Sequence, residues 1–306
     1  MLLAPSANRV YTQSSAALAV AELKAFGVIA SITELGGQSY LEFDGDPSRL
    51  GNLSSAYAFF EKHGELLKPI EVSTLDKYDD DLLTIQKYAG KTNEHFTKLL
   101  LNVTALASDR DFHTHRFVVL DPVAGRGTTL NQALMYGWDA IGIEIDRKEV
   151  DAYEAFVKTY LRRKRIKHTA DMTPVRREGK RLGRRFDAMV DGVINGSQRL
   201  TMFEADTTRA RQLMKANSVD LIVGDLPYGI VHNARDLLKS ALPQWVELLR
   251  RGGALGVSWN THHAPREQAV TLLEAHDLEV LDDAGFAHRV DQGIMRDIVL
   301  ARKPRG

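Results

Sequence analysis

The stretch "VVLDPVAGRGTTL", residues 118–130, constrains this 306-residue chain more than any other. It passes from a β-branched apolar run through a Gly-rich turn into a helix-forming segment. Gly125 and Gly127 let the backbone turn sharply and approach a ligand closely, because neither carries a Cβ. The alternation continues downstream. "DAIGIEID" reads as a strand, and "RKEVDAYEAFVKTYLRR" as a helix with Val150, Tyr153, Val157, Tyr160 and Leu161 on one stripe. "LTMFEAD" and "VDLIVGD" read as strands with a helix through Ala210–Lys215 between them. A helix from near Pro243 to Gly252-Gly253, then the strands "ALGVSW", "DLEVL" and "MRDIVLAR", complete a doubly wound α/β pattern.

The first residues follow a different rhythm. "NRVYT" reads as a strand and "SSAALAVAELKAFG" as a helix stopped by Gly27. "VIASITEL" and "QSYLEFDG" form a hairpin about Gly36-Gly37, "LSSAYAFFEKHG" reads as a second helix, and "KPIEVS" as a last strand. The order βαββαβ predicts a small α+β ferredoxin-like domain over residues 1–78. The solvated run "LDKYDDD" leads into a second domain, residues 79–306. That domain opens on a buried helix carrying Phe96, Leu99, Leu100, Val103 and Leu106 on one face.

Composition narrows the class. With 44% hydrophobic and 26% charged residues, the chain is ordinary for a globular protein. It has no cysteine, hence no disulfide and no thiolate chemistry, which fits a cytoplasmic setting. No apolar run reaches the roughly 20 residues of a membrane helix, and "MLLAPSANRV" is too short in apolar residues for a secretory signal. His113, His115, His262 and His263 lack a third ligand at sensible spacing, so no metal site is expected. The net charge of zero hides an asymmetry: residues 162–185 hold eleven Lys/Arg against Asp171 and Glu178. This basic insertion, Arg162–Arg185, interrupts the α/β rhythm and is a candidate nucleic-acid surface or a solvated loop.

The Gly-rich turn asks for a ligand. Glu144 ends the next strand, 17 residues after Gly127, where a carboxylate can accept both hydroxyls of a ribose. A dinucleotide fingerprint wants Gly or Ala where Leu130 stands, and a P-loop wants Gly-Lys-Ser/Thr where this turn has Gly-Thr-Thr. S-adenosylmethionine, with ribose and adenine but no phosphate, remains. Asp206 in "FEADTT" is placed to accept from an adenine amine, or to cap a helix.

The turn "DLPYG" follows the strand adjacent to the Gly-rich one. Beyond a strand's carboxyl end, Asp225 can accept one N–H of an aromatic exocyclic amine and the main-chain carbonyl of Leu226 the other. Pro227 holds Leu226 extended, so Leu226 is needed only for that carbonyl. Tyr228 offers a face for a flat ring.

Together "LDPVAGRGTT", "GIEID", "FEADTT" and "GDLPYG" resemble class I methyltransferases that modify exocyclic amines of nucleobases. The likeness is greatest to the tRNA guanosine N2-methyltransferases, THUMP-associated proteins with an N-terminal ferredoxin-like domain. It extends to "QKYAGKTNEHFTKLLLN" and covers residues 85–302 well. The resemblance implies a Rossmann-like seven-stranded sheet and S-adenosylmethionine as cofactor. It places Asp121, Gly125, Gly127 and Thr128 around the methionine part, Glu144 on the ribose and Asp206 on the adenine, with Lys91, Thr92 and Asn93 near the tail. Asp225, Leu226, Pro227 and Tyr228 would hold the target amine, in an RNA, by preference tRNA at guanine N2. The chain departs from the pattern at Leu226, where the family has proline, in the basic insertion, and in having too few residues before the linker for a THUMP domain. A DNA adenine or cytosine amino-methyltransferase, and a non-catalytic RNA-binding protein of the same fold, are the competing readings.

Overall fold

The computed structural model describes residues 1–5, 9–88, 90–193, 196–227, 234–281 and 285–305. Its first part is a five-stranded sheet covered by one helix. In chain order come β1 (Leu2–Leu3), α1 (Arg9–Ala25), β2 (Ala30–Leu35), β3 (Gln38–Phe43), β4 (Ala56–His63) and β5 (Leu66–Ile70). The strands lie in the order β2-β3-β1-β4-β5, every neighbour antiparallel. The β2–β3 hairpin turns at Gly36-Gly37 as the sequence predicts, with Leu35 opposite Gln38 and both glycines at positive φ.

Two expected elements are of the other kind, and the ferredoxin-like order is lost with them. "NRVYT" belongs almost wholly to α1. Tyr11, Ser15, Leu18, Ala19 and Leu23 are buried at helical spacing, so packing overrides the strand preference of Val10 and Tyr11. "LSSAYAFFEKHG" ends in β4 instead of a second helix. Gly64 turns a hairpin in which His63 faces Leu66, and Phe59 is buried in the small core beneath α1.

The rest of the chain builds a sheet apolar on both faces, which helices must cover on both sides. After α2 (Asp81–Thr84) and α3 (Glu94–Ala107) come β6 (Val118–Asp121), α4 (Thr128–Met135), β7 (Asp139–Glu144) and α5 (Arg147–Arg163). Next are β8 (His168–Arg177), β9 (Lys180–Val193), β10 (Gly196–Glu204), α6 (Ala210–Leu213) and β11 (Val219–Asp225). The chain closes with α7 (Ala234–Leu248), β12 (Leu249–Asn260), α8 (Arg266–Glu274), β13 (Glu279–Leu281), β14 (His288–Arg289) and β15 (Met295–Arg302). The strand order is β13-β15-β12-β11-β6-β7-β10-β9-β8, with β14 added against β15. From β12 to β10 all neighbours are parallel, and β15 lies antiparallel between β12 and β13. The seven strands from β13 to β10 are the class I sheet the resemblance implies, and β9, β8 and β14 add to it. Leu221 and Val223 pack with α3, α4 and α5 on one face, Val219 and Ile222 with α7 and α8 on the other.

Two local details differ from expectation. The helix placed from Pro243 to Gly252 starts at Ala234 and contains Pro243. Gly252 and Gly253 lie inside β12, at an irregularity where Val219 faces Leu249 but Leu221 faces Ala254. A Cβ on Gly253 would stand 2.5 Å from the Asp220 carbonyl oxygen, so the bulge needs glycine there. The basic insertion is the β8–β9 hairpin, which continues the sheet beyond β10.

A buried polar cluster joins the two sheets. Glu22 of α1 accepts from the Ser54 amide (2.9 Å), from Ser54 Oγ (2.6 Å) and from Asn102 Nδ2 of α3 (2.7 Å). Asn102 also donates to the Asn52 carbonyl (2.8 Å) and accepts from Tyr136 Oη (2.8 Å). Burial pushes the Glu22 carboxyl above its ordinary range, against these hydrogen bonds. Removing Asn102 leaves three buried groups short of a partner at once. Asn102→Ala is expected to cost about 2–4 kcal/mol in urea unfolding, well above a surface substitution.

Candidate functional site

The chain reverses its winding between β6 and β11, and the carboxyl ends of β6, β7, β10 and β11 meet there around a cleft of about 1080 Å³. Asp121, Gly125, Thr128, Glu144, Asp206, Thr92, Asp225, Leu226 and Pro227 all line it. Tyr228 lies outside the described residues.

The Gly-rich turn is held from both sides. The Ala124 amide donates to the Ile143 carbonyl (3.0 Å) and the Gly125 amide to Glu144 Oε2 (2.9 Å). Gly127 starts α4 at φ +74°, and a Cβ there would meet the Tyr153 ring at 2.3 Å. Gly127 therefore shapes the turn without lining the cleft. Glu144 accepts from the Asp146 amide as well (2.8 Å), so β7, its turn and the Gly-rich loop share one carboxylate.

Asp121 is buried at the end of β6, where its Oδ1 accepts from the Val123 amide (3.0 Å) and its carboxyl from the Thr129 side chain. Burial pushes it up to about 7 against those two hydrogen bonds, and Asp225 and Glu144 nearby add to the rise. Asp206 caps the 3-10 turn Thr207–Arg209 through the Thr208 amide (2.9 Å), one of its two expected roles, and it also lines the cleft.

Asp225 is tied to three separate elements. It accepts from Thr92 Oγ1 (2.8 Å) ahead of α3, from Ser258 Oγ of β12, and from Arg296 Nη2 of β15 (3.4 Å). Arg296 is almost fully buried, with its guanidinium 4.1 Å from the centre of the Phe96 ring. Leu226 does more than lend a carbonyl. Its amide donates to the Ser258 carbonyl (2.8 Å), and its side chain is buried in the core beneath α7 and α8. Proline at this position would lose the amide bond and fill less of that core.

Lys91 and Asn93 flank Thr92 but are not among the residues lining the cleft. Lys91 Nζ binds the Leu83 carbonyl (2.7 Å) and Glu94 (2.5 Å), and Asn93 caps α3 through the His95 and Phe96 amides. Both hold the lead-in segment in place.

Sequence reasoning missed three contributors. Ile145 is 70% exposed at the cleft, an apolar surface beside Glu144. Glu149 and Asp236 add two more carboxylates. Arg296 turns to Asp225 and not to its neighbour Asp297, which pairs with Arg266 (2.8 Å). Among the described residues the cleft is therefore acidic: Asp121, Glu144, Glu149, Asp206, Asp225 and Asp236 line it against one cation, Arg126, which is itself bound to Glu149 (2.7 Å). Among the described residues no group of three or more His, Asp or Glu could hold a metal ion, and no helix is long and apolar enough to cross a membrane.

No family model matches this sequence, and no curated protein does. Solved structures are similar in chain trace. TrmN from Thermus thermophilus is 16% identical with a TM-score of 0.45, the match covering 90% of this chain and 60% of that one. The 1,6-didemethyltoxoflavin-N1-methyltransferase of Burkholderia thailandensis is 16% identical with a TM-score of 0.40, over 62% of this chain and 72% of that one. TehB from Haemophilus influenzae is 14% identical with a TM-score of 0.37, over 62% and 58%.

The raised Asp121 has a consequence for pH. Between its ordinary value and about 7 the folded chain keeps a proton that the unfolded chain releases, so this group's contribution to stability declines as pH rises through that window. Asp121→Asn is expected to lose less stability than wild type between about pH 5 and about pH 8, read from urea midpoints.

Proposed function

We propose that this chain is an S-adenosylmethionine-dependent methyltransferase acting on an exocyclic amine of an RNA base, guanine N2 of tRNA by preference. The observation that carries the cofactor is the charge of the cleft. Among the described residues six acids line it, Glu149 and Asp225 being paired with Arg126 and Arg296, and the negative charge left on Glu144, Asp206 and Asp236 repels a phosphate-bearing nucleotide and suits a ligand with a sulfonium and an ammonium. The fit extends to the parts. Glu144 would take the ribose hydroxyls, Ile143, Ile145 and Ala205 would flank the adenine, and Asp206 would accept from its amine. Asp121 and the Gly125 turn would face the methionine part.

When bound, S-adenosylmethionine supplies an electrophilic methyl: its carbon–sulfur bond breaks as a carbon–nitrogen bond forms, leaving a neutral thioether. The protein's task is the nitrogen. An aromatic amine has its lone pair delocalised into the ring, and two acceptors on its N–H groups favour the pyramidal, attacking form. Asp225 is one acceptor, held by Thr92, Ser258 and Arg296 so that it need not reorganise as charge develops. The Leu226 carbonyl is the other. The proton the nitrogen gives up leaves through Asp225 to solvent. Guanine suits a carboxylate because its N1–H and amine are neighbouring donors. The RNA assignment is supported by the motif set and by the basic hairpin.

Labelled S-adenosylmethionine supplied with unmodified tRNA, rRNA fragments and DNA tests this reading. Label is expected in tRNA, and Asp225→Ala should lower the rate about a hundredfold or more with the cofactor still bound. Glu144→Ala should weaken cofactor binding about tenfold or more by calorimetry. Label in DNA and not in RNA, or undiminished transfer by Asp225→Ala, would overturn it.

A further inference from the structure

The basic segment Arg162–Arg185 looks like one patch in the sequence, but the fold divides it between opposite ends of the sheet. α5 returns from the carboxyl edge, so Arg162, Arg163 and Arg165 emerge at the amino edge, next to where β8 begins. His168 there faces Val190, which faces Gln198 near the start of β10. β8 then runs its ten residues toward the cleft, about 30 Å at the usual rise per residue. The last pairing of β9 with β10 is Arg184 opposite Glu204. Residues 175–183 therefore overhang the carboxyl edge, on the side where Glu144, Asp206 and Asp225 gather.

The overhang is built to stay there. Val175 packs against the core that contains Ala205, and Gly183 lies so close to the Glu204 carbonyl that a Cβ would stand 1.9 Å from it. Glu178 and Gly179, both at positive φ, close a two-residue turn between Arg177 and Lys180. The tip carries Arg176, Arg177, Lys180 and Arg181, all exposed, against Glu178 alone. Among the described residues Arg176, Lys180 and Arg181 make no ion pair, whereas Arg184, deeper in the hairpin, is taken by Asp151 and Glu204. Where the tip meets the segment after α6, Arg177, Arg211 and Lys215 line a groove of about 400 Å³. Arg209, exposed and without an ion pair among the described residues, stands next to Thr208 of the cleft.

We infer that this tip and groove form the RNA-backbone contact of the protein, leading from Arg176, Lys180 and Arg181 past Arg177, Lys215 and Arg209 to the cleft. The inference rests on the reading that the substrate is RNA. An acidic cleft cannot hold a polyanion by its phosphates, so the strand that delivers a base must be gripped outside it. Arg162, Arg163 and Arg165 stand at the far edge and take no part. The free part of the hairpin is too short to enter a DNA groove as a ribbon, because β9 is bonded to β10 from Arg184 onward. Cations of this kind contact phosphates and fix register.

The test uses fluorescence anisotropy with unmodified tRNA transcripts, without cofactor, over a salt series. Arg176→Ala/Lys180→Ala/Arg181→Ala is expected to bind about tenfold more weakly and to lower the salt slope by about two to three. Its affinity for S-adenosylmethionine should equal that of wild type, which also shows that the variant is folded. Arg162→Ala/Arg163→Ala/Arg165→Ala should stay within about twofold of wild type. Equal binding by the tip variant and wild type, a loss confined to the amino-edge variant, or tighter binding to a DNA duplex of the same length would overturn the inference. Because binding is read without methyl transfer, a wild type that grips tRNA through the tip yet transfers no label would refute the enzyme reading alone.

Discussion

Like charges crowded into one cleft repel, and the fold depends on how that repulsion is met. Asp121, Glu144, Asp206 and Asp225 each end a strand or begin the turn after it, and each is bound to donors on the backbone or on neighbouring elements. The acids are thus also the fasteners of the loops that carry them. Glu144 binds the Gly-rich turn to β7, and Asp225 gathers the lead-in to α3, β12 and β15 around β11. A ligand bearing positive charge enters a site whose geometry its own attractions have not had to create.

Much of this was legible because the α/β half obeys strong local rules. α5, β11 and β15 have the limits read from the sequence, since capping by Asp146, uninterrupted apolar runs and a helical stripe all agree there. Asp121, Glu144, Asp206 and Asp225 were legible because each ends a strand or begins the turn after it. What was illegible depends on distant parts of the chain. Tyr11 reads as a strand residue until α1 is seen to bury it, and "LSSAYAFFEKHG" reads as a helix until β5 returns to pair with β4. Arg296 lies 71 residues from Asp225, so no local pattern could join them. Lys91 and Asn93 illustrate the converse: motif neighbours of a cleft residue can serve the chain that holds it.

The N-terminal sheet is more than an appendage. Tyr11 and Leu18 of α1 belong to the large core shared with α3 and β6, while Ala19 and Leu23 of the same helix belong to the small core. Tyr11 also sets its ring edge-on to His95 and to His288, and His288 lies against Phe96, the ring on which Arg296 rests. The first helix thus reaches the residue that steadies Asp225 through a continuous stack of side chains.

The β8–β9 hairpin has a second consequence, for how copies of this chain meet one another. Without it, β10 would be the rim of a large apolar sheet, with its backbone donors and acceptors open to any passing strand. With it, the rim is β8, which carries Pro174, a gap in the donor row, and ends in the paired arginines Arg176 and Arg177. The insertion that extends the sheet therefore also brings its growth to a stop.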